Sequence, residues 1–267
     1  MRDDTGRVGD IGEMCGLVGP YRLNQIYEGD SRELAKAIPD ESIDMIVTDP
    51  PYNAGKHYGL LANDRLPEAE YLDWYRWIPR ESYRVMRNGY VYVSCTVPQL
   101  WTLRPLWEEA GFSFQCLLIW HGANYPNKAA VRSQWRLCFE PIFMFLKGAK
   151  LPMIDAFPFN TDAVLEYPRP QRNYRGHKRR VYVVQKPLEM YQAIIARTPG
   201  QVVLDWFVGS GTVAMAAKSL GRDFIGFDLN PAAVELARQR VGETCRIELP
   251  LAGFEQPGFD RLMANVL

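Results

Sequence analysis

The sequence predicts an α/β protein: a sheet with helices packed on both faces and a small irregular insert. Three observations carry that prediction. A β-branched apolar run, Ile43 to Val47, follows a short strand-and-helix pattern and ends abruptly in Asp49-Pro50-Pro51-Tyr52. Residues 201–228 read as strand, glycine turn, helix and strand. Between them, from 147 to 185, apolar periodicity fades while proline, arginine and asparagine accumulate. A chain of 267 residues and 30.6 kDa, 47% hydrophobic and 23% charged, suits one large domain.

The elements follow in order. Residues 1–20 contain five glycines and no period, and read as a flexible N-terminal arm. Tyr21 to Tyr27 reads as a short strand, after which Asp30 or Ser31 caps a helix over Arg32 to Ala37. Ile38-Pro39-Asp40 breaks that helix before the strand at 43–47, and a polar loop, Asn53 to Gly59, follows the proline pair. Glu68 to Met86 reads as a helix interrupted near Pro79, with Tyr71, Trp74, Tyr75 and Ile78 on its core face. Arg87-Asn88-Gly89 ends it; Tyr90 to Cys95 is a strand and Gln99 to Ala110 a helix. Phe112 to Trp120 and Leu137 to Leu146 pair as antiparallel strands at the sheet edge, and the loop between them carries Asn124, Lys128, Arg132 and Arg136. After the insert, Lys186 starts a helix to Arg197 with Pro187 in its first turn. Gln201 to Asp205 is a strand, Val213 to Leu220 a helix, Arg222 to Asp228 a strand and Pro231 to Val241 the last helix. The resulting units are 21–146, the insert 147–185, 186–241 and a tail 242–267.

Two stretches carry chemistry. In the first, each proline fixes its own φ and holds the preceding residue extended, so the Asp49 carboxylate, the Pro50 carbonyl and the Tyr52 ring have little freedom. Two fixed acceptors beside an aromatic face suit a flat ligand with an exocyclic amino group. The amino nitrogen of adenine or cytosine is a poor nucleophile because its lone pair is delocalised, and two acceptors that draw its N–H bonds out of plane free that pair. Tyr52 would then stack on a base that has left the duplex. Taken as plain structure, the same residues are a strand-terminating turn. In the second stretch, Phe207-Val208-Gly209-Ser210-Gly211-Thr212 follows Asp205, and the next strand ends in Asp228. This is the pattern of an adenosine-containing cofactor site, with Asp228 placed for the ribose hydroxyls. An acid beside the glycine loop disfavours a pyrophosphate and favours an ammonium, which fits S-adenosylmethionine better than a dinucleotide.

The bulk properties narrow the partners. No apolar run is long enough to span a bilayer, and Met1-Arg2-Asp3-Asp4 lacks the order of a secretory signal. Five dispersed cysteines without C-x-x-C or H-E-x-x-H indicate neither a disulfide framework nor a metal site, and point to a cytoplasmic setting. Net charge is zero, yet Arg169, Arg172, Arg175, Lys178, Arg179 and Arg180 cluster with no acid among them, leaving 25 bases against 31 acids elsewhere. That cluster, with Tyr174 interleaved, reads as a DNA contact or as a solvated basic loop, and Lys56 as a further phosphate contact.

Together, T-D-P-P-Y at 48–52 and V-L-D-W-F-V-G-S-G-T at 203–212 resemble the S-adenosylmethionine-dependent amino-group DNA methyltransferases, from about Asn24 to Val241. F-I-G-F-D at 224–228 is similar to that family's ribose-binding strand end, and Gly29-Asp30 to its adenine-contacting acid. Gln185 to Glu189, with Lys186, is similar to the helix beside the cofactor's methionine end. Trp206 and Val208 depart from the family pattern at positions that are not its usual donors. The resemblance implies a Rossmann-like methyltransferase sheet. It implies Asp49, Pro50, Pro51 and Tyr52 as catalytic residues, and Asp30, Lys186, Asp205, Phe207, Gly209, Ser210, Gly211, Thr212 and Asp228 as cofactor residues. The catalytic motif precedes the cofactor loop, as in the β group, whose target-recognition region lies in the gap; here that is 147–185, with 121–136 sharing the task. Asp49 at the first motif position implies adenine N6 rather than cytosine N4. Double-stranded DNA is the implied partner; a homodimer and a cognate restriction endonuclease are consistent with the group. The alternatives are a cytosine-N4 DNA methyltransferase, then an RNA or protein amino-group methyltransferase, a catalytically silent DNA-binding relative and a nicotinamide dehydrogenase.

Overall fold

The computed structural model describes residues 16–55, 64–122, 137–156, 162–170 and 185–246. Along the chain, β1 (Leu17–Val18) and β2 (Tyr21–Arg22) form a small hairpin. They are followed by β3 (Gln25–Glu28), α1 (Ser31–Ala35), β4 (Ile43–Thr48), α2 (Glu68–Tyr75), α3 (Trp77–Val85) and β5 (Met86–Ser94). A 3-10 turn (Val97–Gln99) leads into α4 (Leu100–Glu109), β6 (Ser113–His121), β7 (Phe139–Lys147) and β8 (Val164–Glu166). The second half comprises α5 (Leu188–Arg197), β9 (Val202–Asp205), α6 (Thr212–Ser219), β10 (Asp223–Asp228) and α7 (Pro231–Gly242).

Eight strands form one sheet in the order β3-β10-β9-β4-β5-β7-β6-β8. The first five are mutually parallel; β7 runs antiparallel to β5 and to β6, and β8 lies parallel to β6. All six residues of β4 are buried, as expected of a central strand covered on both faces. Met45 and Val47 pack with Met190, Tyr191 and Ile195 of α5 and Val213 of α6 in one core. Ile43 and Ile46 join Ile78 and Val85 of α3 and Trp107 of α4 in the other. Buried Asp44 accepts the backbone N–H groups of Gln201 and Val202 at 3.0 and 2.9 Å, fixing the bottom of β9 against β4.

Several sequence expectations need correcting. The 68–86 helix breaks at Arg76, not at Pro79, because Pro79 is the third residue of α3, where its missing N–H has no intrahelical acceptor to lose. Gly89 is no helix cap; it lies inside β5, where a Cβ would collide with the Asp44 carbonyl of the neighbouring strand. Residues 16–20 belong to the β1–β2 hairpin instead of a loose arm, and Tyr21–Tyr27 splits between β2 and β3. β6 is not the sheet edge: β8, from within the expected irregular insert, pairs with it through Ile119–Val164 and Trp120–Leu165.

Candidate active site

The sheet order puts the C-terminal ends of β4 and β9 side by side, the place where open parallel sheets bind ligands. The Thr48 hydroxyl donates to Asp205 Oδ1 at 3.0 Å, so the two chemically informative stretches touch directly. Asp49, Pro51, Asp205, Gly209, Ser210 and Asp228 all border one cavity of ≈ 330 Å³.

The Asp-Pro-Pro-Tyr turn is held from behind. Tyr71 Oη donates to the Pro51 carbonyl at 2.9 Å, and Gln99 Nε2 donates to the Tyr52 carbonyl at 2.9 Å and to Tyr71 Oη at 3.1 Å. Gln99 is itself fixed as its Oε1 accepts the Thr96 N–H at 2.9 Å. Beyond the turn, Asn53 adopts φ +56°, and its N–H and that of Ala54 donate to buried Asp64 at 2.7 and 3.0 Å. The Asn53 side chain clamps the N–H and carbonyl of Leu66.

In front of the turn lies a charge cluster. Tyr52 Oη donates to Asp49 Oδ1 at 2.5 Å. Lys186 Nζ donates to Asp49 Oδ2 at 3.0 Å, Tyr52 Oη at 2.8 Å and Glu140 Oε2 at 2.7 Å. Arg169 binds the other Glu140 oxygen at 2.6 Å and lies 5.6 Å from the Trp120 ring centre. Burial penalises the Lys186 ammonium, but Asp49 and Glu140 together outweigh that and hold its pKa above the ordinary lysine range. Burial pushes the Asp49 carboxyl upward, with Lys186 opposing.

Lys186 was expected beside the methionine end of the cofactor. It borders the cavity, and its ammonium is directed to Asp49. Arg169, expected to face DNA phosphate, is paired with Glu140. Tyr71, Tyr75 and Ile78 are buried in the core as expected, Tyr71 also bordering the cavity, whereas Trp74 is half-buried and lines the cavity. Tyr52 carries Lys186 Nζ 5.1 Å from its ring centre. Lys56, Arg172, Tyr174, Arg175, Lys178, Arg179 and Arg180 lie outside the described residues.

The residues expected for the cofactor do converge. Gly209 and Gly211 have φ +50° and +79°, and a Cβ on Gly211 would come within 2.9 Å of Ala237 on α7. Asp228 Oδ2 accepts the Gly209 N–H at 2.7 Å and Oδ1 the Asn230 N–H at 2.9 Å. Asp205 accepts the Phe207 N–H at 3.1 Å, yet burial raises its pKa to about 7. Asp30 caps α1 and is paired with Arg32 at 2.6 Å, whose hydrogen bond holds the carboxyl below its usual range. Trp74, Trp77 and Phe207 add an apolar wall, with Phe207 6.1 and 5.9 Å from the two indoles. The buried Trp77 Nε1 makes no hydrogen bond among the described residues. Acids for an ammonium and a diol, aromatic faces for a purine and a spare N–H donor fit S-adenosylmethionine.

Sequence reasoning missed Glu140, Asp64, Gln99 and Trp77. Glu140 alone left a trace, as an acid followed by an unbroken apolar strand.

Comparison with known proteins agrees with this geometry. The family model described as DNA methylase matches residues 43–239. The type II methyltransferase M.HpaI of Haemophilus parainfluenzae is 31% identical over 230 residues, 77% of this chain and 70% of that protein. The DNA adenine methyltransferase YhdJ of Escherichia coli K12 is 27% identical over 251 residues, 81% of this chain and 82% of its own length. The crystal structure of the M1.HpyAVI–SAM complex superposes with a TM-score of 0.59 at 27% identity, covering 81% of this chain and 98% of that one.

Proposed function

The chain belongs to the DNA methylase family and uses S-adenosylmethionine, and from that premise we propose that it methylates the N6 amino group of an adenine flipped out of duplex DNA. The observation that carries this reading is the shared cavity: Asp49 opens into the space bordered by Asp205, Gly209 and Asp228, so the amino acceptor and the cofactor residues face one volume. S-adenosylmethionine, when bound, supplies the sulfonium methyl. Asp205 meets its ammonium, Asp228 its ribose, and Trp74, Trp77 and Phe207 its adenine. Asp49 and the Pro50 carbonyl take the two N–H donors of the target amino group and turn its lone pair toward the methyl. The Tyr52 ring stacks on the extruded base.

Residues 147–185 and the loop 121–136 read the target sequence, with the basic cluster on phosphates. Among the described residues no helix is long and apolar enough to cross a membrane, in keeping with action on DNA in the cytoplasm.

The adenine assignment rests on Asp49 and on the kinship with an adenine methyltransferase. Cytosine N4 presents the same two donors to the same acceptors and is the second reading. Incubation of the protein with unmethylated genomic DNA and S-adenosylmethionine, followed by nucleoside mass spectrometry, separates them. N6-methyladenine is expected. N4-methylcytosine would overturn the base assignment and keep the chemistry, whereas no methylated nucleoside from cofactor-binding protein would overturn the DNA substrate.

A further inference from the structure

Both oxygens of Asp49 are engaged in this structure. Oδ1 takes the Tyr52 hydroxyl at 2.5 Å and Lys186 at 3.2 Å, and Oδ2 takes Lys186 at 3.0 Å. A target amino group can reach that carboxylate only if the Lys186 ammonium gives way. The Lys186 side chain is 7% exposed, and its ammonium cannot leave for water without dismantling the site. A buried cation also cannot stay without a counter-charge. Glu140 meets both demands. It sits on β7, across the turn from Asp49, and already holds Lys186 at 2.7 Å, the shortest of the four Lys186 contacts. Its second oxygen is fixed by Arg169 at 2.6 Å, so its geometry does not depend on Lys186.

We propose that Glu140 is a positioning residue for methyl transfer: it retains the Lys186 ammonium when the target amino group takes over Asp49. The inference rests on the methyltransferase reading above. Without Glu140, Asp49 is the sole carboxylate bonded to Lys186 among the described residues, and the lysine competes with the substrate for it. With Glu140, the exchange at Asp49 leaves the Lys186 ammonium paired, while the Asp49 carboxylate keeps the Tyr52 hydroxyl and gains the N–H donors of the amino group. Asp205, another buried acid of the cavity, takes Thr48 and the Phe207 N–H on Oδ1 and makes no contact with Lys186 among the described residues.

The test is a double-mutant cycle with Glu140→Gln, Lys186→Met and the pair, read by single-turnover methyl transfer at saturating DNA and cofactor. Cofactor affinity is measured by calorimetry on all four proteins. Glu140→Gln alone is expected to slow transfer roughly 10- to 100-fold while cofactor affinity changes less than about threefold, and to cost nothing further once Lys186 is Met. A wild-type rate in Glu140→Gln, or an equal loss in both backgrounds, overturns the proposal. Should Glu140→Gln not fold, Arg169→Ala loosens Glu140 from outside and is expected to slow transfer at saturating DNA; an unchanged rate overturns the proposal. If the wild type itself transfers no methyl to DNA, the underlying reading fails. Unfolding midpoints across the cycle then still decide this inference, since additive effects on stability would mean that Glu140 does not hold Lys186.

Discussion

Asp205 offers the sharpest test of the cofactor assignment. Its carboxyl is 4% exposed, and burial raises its pKa from 3.8 to about 7, against the Phe207 N–H and Thr48 hydroxyl bonds that favour the ionised form. The shift amounts to roughly 4 kcal/mol of preference for the neutral acid in the free protein. Because the folded pKa is raised, this stabilisation is present below the unfolded pKa and is lost as pH rises towards 7. Binding an ammonium requires the ionised form, so the cofactor trend runs the opposite way. Affinity for S-adenosylmethionine should fall about three- to fivefold between pH 8 and pH 6, the cofactor's own amino group, about half deprotonated near pH 8, offsetting part of the loss of ionised Asp205, and should fall again above pH ~8 as that group loses its proton. Titration calorimetry across that range reads the slope, and thermal unfolding of the free protein reads the opposing trend. Asp205→Asn should weaken binding at pH 8, flatten the acid limb and remove the loss of stability between about pH 4 and pH 7. An Asn variant that binds as tightly as the wild type, with the same acid limb, would refute the pairing of Asp205 with the ammonium.

Three further outcomes are expected. Asp49→Ala should lower methyl transfer by roughly 100- to 1,000-fold, with calorimetric cofactor affinity nearly intact, because Lys186 keeps Glu140 as its partner. Gln99→Ala removes the donor to the Tyr52 carbonyl and should cost about 1–3 kcal/mol, seen as a fall of roughly 2–4 °C per kcal/mol in the unfolding midpoint. Replacing Arg172, Arg175 and Arg179 together with alanine should weaken DNA binding and flatten its dependence on salt, measured by fluorescence anisotropy over a salt series.

The parts of the fold that were legible in the sequence are those written in local pattern. The β4 run, the proline pair and the glycine loop announce themselves because their periodicity and backbone demands are confined to a few adjacent residues. The same holds for Asp205 and Asp228, whose positions follow from strand ends. Errors arose where one residue type serves two purposes. Pro79 reads as a breaker although it sits in the first turn of α3, and Gly89 as a cap although it yields space to a neighbouring strand. Tyr71 and Trp74 show a limit of amphipathic reasoning, since an apolar face fits a ligand wall as well as a core. What could not be read was long-range pairing. Lys186 meets Asp49 across 137 positions and Glu140 across 46, and nothing in the local sequence of any of the three signals the meeting. Arg169 opens a basic run that reads as phosphate-seeking, and its pairing with Glu140 depends on how β7 and β8 are placed.

The placement of β9 beside β4 also governs how the chain reaches its native state. These neighbours at the middle of the sheet are joined by Thr48 and Asp205, 157 positions apart, and β3 at one edge pairs with β10 alone among the described strands. The parallel half of the sheet is thus interleaved from early and late segments: β4, β5, β7 and β6 pair among themselves, β9 pairs with β10, and the β4–β9 seam joins the two. Closing that long loop at the β4–β9 seam is slow and leaves the facing edges of β4 and β9 exposed meanwhile. Refolding should therefore show a rate-limiting phase in which β4–β9 contacts form last, with aggregation competing at high protein concentration. Glycine substitutions that loosen Asp44, whose carboxylate holds the start of β9, should retard that phase more than equal destabilisation in the β6–β7 hairpin.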